Sequence, residues 1–176
     1  MIMRPGHQLL LPANPFFILG SLLAALGLSM LQNMGLFGRA AWTPDLLELT
    51  LVFWTIHQPQ RVGIGIAFIF GIFVDVHQGA LLGQHALAYT VLSFLAIAIH
   101  RRLLWFKVPS QAFQVFPLFV AAHVIELICR LSAGGAFPGF LMLFAPALES
   151  LLWPVISVLL LAPQKRSPDP DANRPL

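Results

Sequence analysis

The stretch of sequence that decides the fold runs from Thr43 to Arg102 and reads TPDLLELTLVFWTIHQPQRVGIGIAFIFGIFVDVHQGALLGQHALAYTVLSFLAIAIHRR. It contains three apolar segments, interrupted only by short polar or glycine-containing separators at 57–61 and 79–83. The whole chain has the same character, since 58% of its 176 residues are hydrophobic and only 10% are charged. So few charges cannot cover a globule in water. The sequence therefore predicts an all-α integral membrane protein that is surrounded by lipid.

The charges and the single cysteine argue against other classes of protein. Lys and Arg outnumber Asp and Glu by ten to seven, but the basic residues lie at the ends of apolar segments and form no stripe with interleaved aromatics. Nucleic-acid binding is therefore not expected, and the cations are interpreted as markers of the cytoplasmic face. Cys129 lies alone inside an apolar segment, so it is expected to be a buried, inert thiol with no disulfide partner in the chain.

Six segments are predicted to cross the membrane. A helix needs about 20 mostly apolar residues to cross the hydrocarbon core. The predicted spans are residues 16–34, 42–56, 62–76, 81–99, 112–131 and 140–161. The second and third spans are short, and either could by itself be a re-entrant or core helix. Because Pro59 and several polar residues separate them, two short helices joined by a tight turn are preferred.

The basic residues also predict the orientation of these spans. With six spans and a cytoplasmic N-terminus, the external segments contain only Arg39 and Arg130. The positive-inside rule favours this arrangement, which also places the C-terminus in the cytoplasm. Residues 1–161 would then form one polytopic membrane domain, and the proline-rich residues 162–176 a disordered cytoplasmic tail. The cytoplasmic segments would contain Arg4, Arg61, Arg101, Arg102, Lys107, Lys165, Arg166 and Arg174.

Polar residues inside predicted spans are candidates for function, because an uncompensated charge at mid-membrane costs at least ~2.5–3.5 kcal/mol. Asp75 is expected near the external end of the third span, either wetted by lipid headgroups or buried as a centre that fixes the following turn. His123 and Glu149 are expected at similar depths, where they could satisfy each other, and a packing role is favoured over proton relay. Glu126 and Arg130 are four residues apart, so a structural ion pair at the outer interface is predicted.

The glycines of the third span indicate close helix packing. Gly63, Gly65 and Gly71 would give this span a small-residue face that admits another helix or a partner, and Gly79 and Gly83 follow in the next turn. We predict that a partner helix docks on this face and that Gly71→Leu would prevent docking.

Tryptophan, proline and arginine residues near the segment ends support further predictions. Trp42, Trp54 and Trp105 are expected to anchor the chain at the membrane interface. Trp153 and Pro154 lie within the sixth span, where the missing backbone donor predicts a kink. The turns that carry Arg61, Arg101, Arg102 and Lys107 could contact cytoplasmic partners or anionic lipids, although a role in setting topology is favoured.

The sequence contains no recognisable catalytic, metal or cofactor motif. A nucleophile elbow, a phosphate-binding loop and a zinc-protease motif are all absent, and the six histidines are scattered. No catalytic residue, metal site or cofactor is therefore expected, and a membrane scaffold explains the sparse polar residues most simply. A small-molecule-binding component of a membrane transporter is the alternative, because of Glu149 and the short second and third segments.

Several short motifs occur in a characteristic order and spacing. They are Trp54, PQRVG at 59–63, GIFVD at 71–75, GALLG at 79–83, ALAY at 86–89 and LLWP at 151–154. Together with the length of the chain, these motifs resemble the MreD family of rod shape-determining membrane proteins.

The resemblance implies a multi-pass component of the bacterial inner membrane that acts in the elongation machinery. Such a protein would bind MreC and act indirectly with the actin-like MreB, the glycosyltransferase RodA and its transpeptidase to direct lateral peptidoglycan synthesis. The family is also similar to the six-helix substrate-binding components of energy-coupling-factor transporters, which is an analogy of fold. Membrane lipid is a further expected partner, and homodimer formation is left open.

Overall fold

The structure is a computed structural model that describes residues 14–32 and 42–164. Within these residues the chain is all helical, as predicted. The six α-helices are α1 Pro15–Leu31, α2 Leu46–His57, α3 Ile64–Gln78, α4 Gln84–Leu103, α5 Val108–Ser132 and α6 Phe144–Leu161, and the short 3-10 segments Phe140–Leu143 and Ala162–Gln164 flank α6. Arg4, Arg39, Lys165, Arg166 and Arg174, which entered the predicted orientation, lie outside the described residues.

Among the described residues, three helical segments are long and apolar enough to cross a membrane, namely Gln84–Leu103, Val108–Ser132 and Phe140–Gln164. The apolar helices α1, α2 and α3 are shorter, with 17, 12 and 15 residues. At a rise of 1.5 Å per residue α2 is about 18 Å long, whereas a typical hydrocarbon core is about 30 Å thick. The presence of six helices is confirmed, and six complete crossings stay a prediction.

An N-cap residue and a first-turn proline account for two helix starts that differ from the positions hydropathy predicts. Helix α2 begins at Leu46 instead of residue 42, because Asp45 is its N-cap and its Oδ1 atom accepts the backbone N–H of Leu47 at 2.8 Å. Helix α5 begins at Val108 instead of residue 112, with a proline in its first turn, where the lost N–H has no helical partner in any case. Residues 162–164 of the predicted tail form a 3-10 segment, in which the Gln164 side chain is buried and its Nε2 atom donates to the Leu160 carbonyl at 2.8 Å. Residues 165–176 lie outside the described residues.

Helix α2 is the centre of the bundle. All ten residues from Leu47 to Ile56 are buried, and the helix packs against α1, α4 and α6. A helix that is apolar on nearly every face, with Glu48 as the one charged residue among these ten, is expected in such an enclosed position. The prediction that Trp54 anchors the interface is therefore wrong: its side chain is fully buried, and its indole N–H donates to Ser21 Oγ of α1 at 2.8 Å.

Helices α3 and α4 form a tightly packed hairpin. Gly71 of α3 lies against the backbone of α4, where a Cβ atom at position 71 would come 2.6 Å from the Ala86 nitrogen. Gly79 ends α3 in the left-handed conformation (φ 61°), and Gly83 precedes α4 with φ 103°. These positive φ angles strain any residue with a side chain, which explains glycine at both ends of the turn.

A set of polar contacts joins α4, α5 and α6 near the α4–α5 turn. The buried Gln111 side chain donates to the carbonyls of Leu103 and Phe106 at 3.2 and 3.1 Å, and its Oε1 atom accepts the indole N–H of Trp153 at 3.2 Å. Trp153 is thereby fixed inside the bundle. Helix α6 runs without interruption through Pro154, and the predicted kink stays a prediction.

Candidate functional site

One end of the bundle contains a polar cavity of about 200 Å³. Its lining comes from the last turns of α1, α3 and α5, from the first turns of α2 and α4, and from the segment before α6. Consecutive helices therefore run in alternate directions, and the cavity lies at the end that the sequence predicts to be external. The charged or titratable residues of the lining are Asp45, Glu48, His85, His123, Glu126 and Arg130.

Asp45 connects four helices at this end. Its Oδ1 atom accepts the Ser29 hydroxyl of α1 at 2.9 Å, and its Oδ2 atom accepts the phenolic hydroxyl of Tyr89 of α4. Its backbone N–H donates to Glu149 Oε1 of α6 at 2.9 Å. Because hydrogen bonds to a charged group are stronger than neutral ones, Asp45 holds α1, α4 and α6 around the start of α2.

Glu48, His123 and Glu149 meet beside Asp45. His123 Nε2 lies 3.7 Å from Glu149 Oε1, and His123 Nδ1 lies 3.9 Å from Glu48 Oε2. The two glutamates are fully buried. The structure thus brings His123 and Glu149, which the sequence suggested as a pair, next to a third titratable residue. The expectation that no histidine enters a metal-like cluster needs correction, because one ligand atom from each of these three residues lies within 4.8 Å of the others.

Asp75 is buried and fastens the end of α3 to the start of α4. Its Oδ2 atom accepts the backbone N–H of Gly83 at 2.8 Å, and its Oδ1 atom accepts the backbone N–H of His85 at 2.8 Å. The Nδ1 atom of His85 lies 2.8 Å from the same Oδ1 atom. Of the two alternatives for Asp75, the structure shows the buried carboxylate that fixes the following turn, and not a carboxylate wetted by lipid headgroups.

Glu126 and Arg130 both line the cavity, but among the described residues no ion pair joins them. The Arg130 side chain instead packs against the turn after α5, where a Cβ atom at Gly135 would come 2.8 Å from Arg130 Cγ. The Gly135 N–H also donates to the Arg130 carbonyl at 2.9 Å. The predicted pair is therefore replaced by a contact between Arg130 and its own turn.

The glycines do not share one face. Gly71 is buried against α4, whereas a Cβ atom at Gly65 would meet nothing within 4 Å, and one at Gly63 would meet only the Pro59 carbonyl at 3.6 Å. Gly79 and Gly83 have the backbone role described above. Because Gly71 packs within its own chain, Gly71→Leu would disturb the α3–α4 hairpin and cannot test the docking of a partner.

The basic turns lie away from the cavity. Arg61 lies between α2 and α3, and Arg101, Arg102 and Lys107 lie where α4 turns into α5; all four are exposed. The alternating helix directions place these turns at the other end of the bundle.

Comparison with known proteins identifies the family. A family model described as rod shape-determining protein MreD matches residues 13–162, which covers almost the whole described part of the chain. This chain belongs to the MreD family. The Rod shape-determining protein MreD of Haemophilus influenzae (strain ATCC 51907 / DSM 11121 / KW20 / Rd) is 26% identical over 121 residues, which cover 66% of this chain and 72% of that protein. No solved structure matches.

Membership of the MreD family confirms the resemblance drawn from the motifs and assigns the chain a role in rod shape determination. It places the chain in a shape-determining, structural family. Together with the apolar helices, it supports a membrane location.

Sequence reasoning missed several residues of the polar end of this MreD-family chain. From the sequence, Asp45 and Glu48 are only acidic residues at the start of the second predicted span, where a helix N-terminus favours anions, and nothing in the sequence assigns a role to Ser29, His85 or Tyr89. A signal was present for the first pair, since an N-cap aspartate followed three residues later by glutamate is a helix-start pattern. Nothing in the sequence indicated that Asp45 and Glu48 lie next to residues of α5 and α6, because those helices are distant in sequence.

Proposed function

We propose that this protein is a non-catalytic, multi-pass scaffold of the bacterial inner membrane that binds MreC and helps to direct lateral peptidoglycan synthesis. The match of the MreD family model to residues 13–162 carries the proposal. The surface of the bundle supports a lipid environment, since large apolar side chains such as Phe73, Leu151 and Leu159 are more than half exposed. Such surfaces are normally covered by a membrane or by a partner.

The proposed topology has six crossings with both termini in the cytoplasm. The basic turns at Arg61 and at Arg101–Lys107 support it, because they lie at one end of the bundle and the polar cavity lies at the other. The short helix α2 is enclosed by other helices. Of the two short helices, only α3, whose Ile69 and Phe73 side chains are exposed, would have to match a bilayer that is locally thinned. Reporter fusions at both termini, in the 58–63 turn and in the 133–139 turn test the topology. Termini on opposite faces of the membrane would rule out six crossings.

A partner helix has room beside α1 and α3. An apolar groove of about 600 Å³ lies between these helices, and Leu19, Leu23, Ile66, Ile69 and Phe73 contribute to its lining. We assign the single membrane helix of MreC to this groove. Helices associate in lipid chiefly by close packing, and this groove offers packing surface that is not already used by α4.

Two bulky substitutions test the docking site. Leu23→Trp and Ile69→Trp would fill the groove, so co-purification of MreC from detergent-solubilised membranes should fall sharply. Leu159→Trp is the matched control, because Leu159 of α6 is also exposed but lies outside the groove. Equal loss of MreC in all three variants, or normal recovery in all three, would remove the groove from consideration.

The cellular role is tested by depletion and complementation. Depletion of this protein in its rod-shaped host should produce round cells, and re-expression should restore rods. The groove variants should insert into the membrane and yet fail to restore the rods. Cells that stay rod-shaped during complete depletion would contradict the proposed role.

A transporter component is the second candidate, and the polar cavity is the observation that favours it. This second candidate also rests on the analogy of fold between the family and the substrate-binding components of energy-coupling-factor transporters. Calorimetric titration of the purified protein with vitamins, in the presence of a chelator, separates the two functions. Stoichiometric heat that disappears in Glu149→Gln would favour transport over the scaffold.

A further inference from the structure

The polar end of the bundle contains three possible metal ligands on three different helices. They are Glu48 of α2, His123 of α5 and Glu149 of α6, and one ligand atom from each lies within 4.8 Å of the other two. Both glutamates are fully buried, and the His123 side chain is only 14% exposed. A cation bound between them would be shielded from lipid and would connect helices that are far apart in sequence.

Three carboxylate oxygen atoms of the two glutamates have no hydrogen-bond partner. Neither carboxylate oxygen of Glu48 has a hydrogen-bond partner, and Oε2 of Glu149 has none either. These are buried acceptors in a region of low dielectric constant, where leaving them unpaired is costly. The fully buried Glu48 side chain therefore requires a positive charge or a proton beside it.

The orientation of His123 indicates which of its nitrogen atoms can bind a cation. Its Nδ1 atom lies 3.1 Å from the Phe119 carbonyl, and because a carbonyl only accepts hydrogen bonds, Nδ1 carries the proton. The Nε2 lone pair then faces Glu149 Oε1, another acceptor, at 3.7 Å. A histidine that donates one N–H to a backbone carbonyl and keeps the lone pair of its other nitrogen beside a carboxylate has the usual arrangement of a metal ligand.

The cavity provides a path for entry. Glu48 and His123 line it, and Asp45 and Glu126 add negative charge to the same wall. Because the cavity lies at the end of the bundle, a hydrated cation could reach Glu48 and His123 without crossing the apolar core, and Glu149 lies next to them, with Oε1 3.7 Å from His123 Nε2.

We propose that Glu48, His123 and Glu149 bind one divalent transition-metal ion of the Zn²⁺ type. Two carboxylates balance its charge, and an imidazole with two carboxylates is a donor set that suits zinc and similar ions. Mg²⁺ and Ca²⁺ prefer oxygen ligands only, and more of them. The bound ion stabilises the fold by joining α2, α5 and α6, and the proposal assigns it no reaction.

The test uses the full-length protein, purified in mild detergent through a tag without histidines and stripped with a chelator. Titration with Zn²⁺ should give one ion per chain, and Co²⁺ should produce visible absorption bands of a site with nitrogen and oxygen ligands. Zn²⁺ should also raise the melting temperature, because a ligand that binds only the folded state stabilises it. Mg²⁺ at the same concentration should produce neither change.

Three variants and one control locate the site. Glu48→Gln, Glu149→Gln and His123→Ala should each weaken Zn²⁺ binding by more than about 10–100-fold, which is the loss typical of residues that only support a metal ligand by a hydrogen bond. Glu126→Gln is the control, since Glu126 lines the same cavity but is not one of the three ligands; it removes one charge from the cavity wall and should weaken Zn²⁺ binding far less than the three ligand variants do. The melting curve of each stripped variant shows whether it is folded.

Two results would overturn the proposal. The first is absence of stoichiometric Zn²⁺ and Co²⁺ binding to the folded wild-type protein. The second is binding that is unchanged in folded Glu48→Gln and Glu149→Gln, which would place the ion elsewhere. A stripped Glu48→Gln protein that melts at a higher temperature than the stripped wild type, and no longer responds to Zn²⁺, would support a cation as the natural partner of the Glu48 carboxylate.

Discussion

Oδ1 of Asp75 in α3 accepts the backbone N–H of His85 in α4 at 2.8 Å and also lies 2.8 Å from its ring Nδ1. Both side chains are buried. One carboxylate oxygen thus fixes both the first turn of α4 and the ring of a residue that lines the polar cavity. The other oxygen, Oδ2, accepts the Gly83 N–H at 2.8 Å, so the whole α3–α4 turn depends on this side chain.

Asp75→Asn should destabilise the protein. Both Asp75 oxygens accept backbone N–H groups, from Gly83 and from His85. Whichever way the Asn amide is turned, its NH₂ group replaces one of these acceptors and faces a backbone N–H. A buried unsatisfied donor costs about 1–3 kcal/mol. The free energy of unfolding in mixed detergent micelles measures the effect. His77→Asn is the control, because His77 lies on the same helix but is exposed. Similar losses in both variants would contradict the role given to Asp75.

Gly71→Ala and Gly65→Ala should have very different effects. A methyl group at Gly71 would lie 2.6 Å from the Ala86 nitrogen and 2.8 Å from the His85 carbonyl carbon. Backbone atoms cannot move aside cheaply, so a loss of about 1–3 kcal/mol or more is expected from overpacking. Gly65 has open space around it, and alanine there should be neutral or slightly stabilising. Thermal unfolding of the two variants side by side measures the difference, and a stable Gly71→Ala protein would disprove the close contact.

Gln111→Leu should destabilise the end of the bundle opposite the cavity. The substitution leaves the buried Trp153 indole N–H without its acceptor, which costs about 1–3 kcal/mol. In a double-mutant cycle, Trp153→Phe should recover part of this loss, since the stranded N–H is then absent. Gln114→Leu is the control, because Gln114 is only partly buried. Strictly additive losses in the cycle would show that the hydrogen bond between Trp153 and Gln111 does not contribute to stability.

Tyr89→Phe should weaken the attachment of α4 to α2. The substitution removes only the hydroxyl that donates to Asp45 Oδ2, and hydrogen bonds to charged groups contribute about 1.5–3 kcal/mol. Thr90→Val is the matched control, since the Thr90 hydroxyl donates at 2.6 Å only to the Ala86 carbonyl of its own helix. The measurement is again the free energy of unfolding. A larger loss in Thr90→Val than in Tyr89→Phe would contradict the connecting role of Asp45.

The local pattern of residues predicted much of the backbone but little of the packing. Pro59 and Gly79 correctly separated α2, α3 and α4, and Asp45 and Pro109 show why two boundaries moved by four residues. Trp54 was misplaced because tryptophan is common at the membrane interface, whereas here it lies in the core beside Ser21. The pairing of Glu126 with Arg130 failed because helix spacing permits such a contact but does not enforce it.

The sequence by itself predicted a membrane protein, and it determined that the described chain is helical and that the chain belongs to the MreD family. The tertiary structure alone decided that α2 is enclosed by α1, α4 and α6 and that Glu48, His123 and Glu149 meet. The physical reason is that lipid-facing and core-facing residues are equally apolar in a membrane bundle. Hydropathy therefore cannot give the rotation of each helix about its axis, and that rotation decides which polar side chains point at one another.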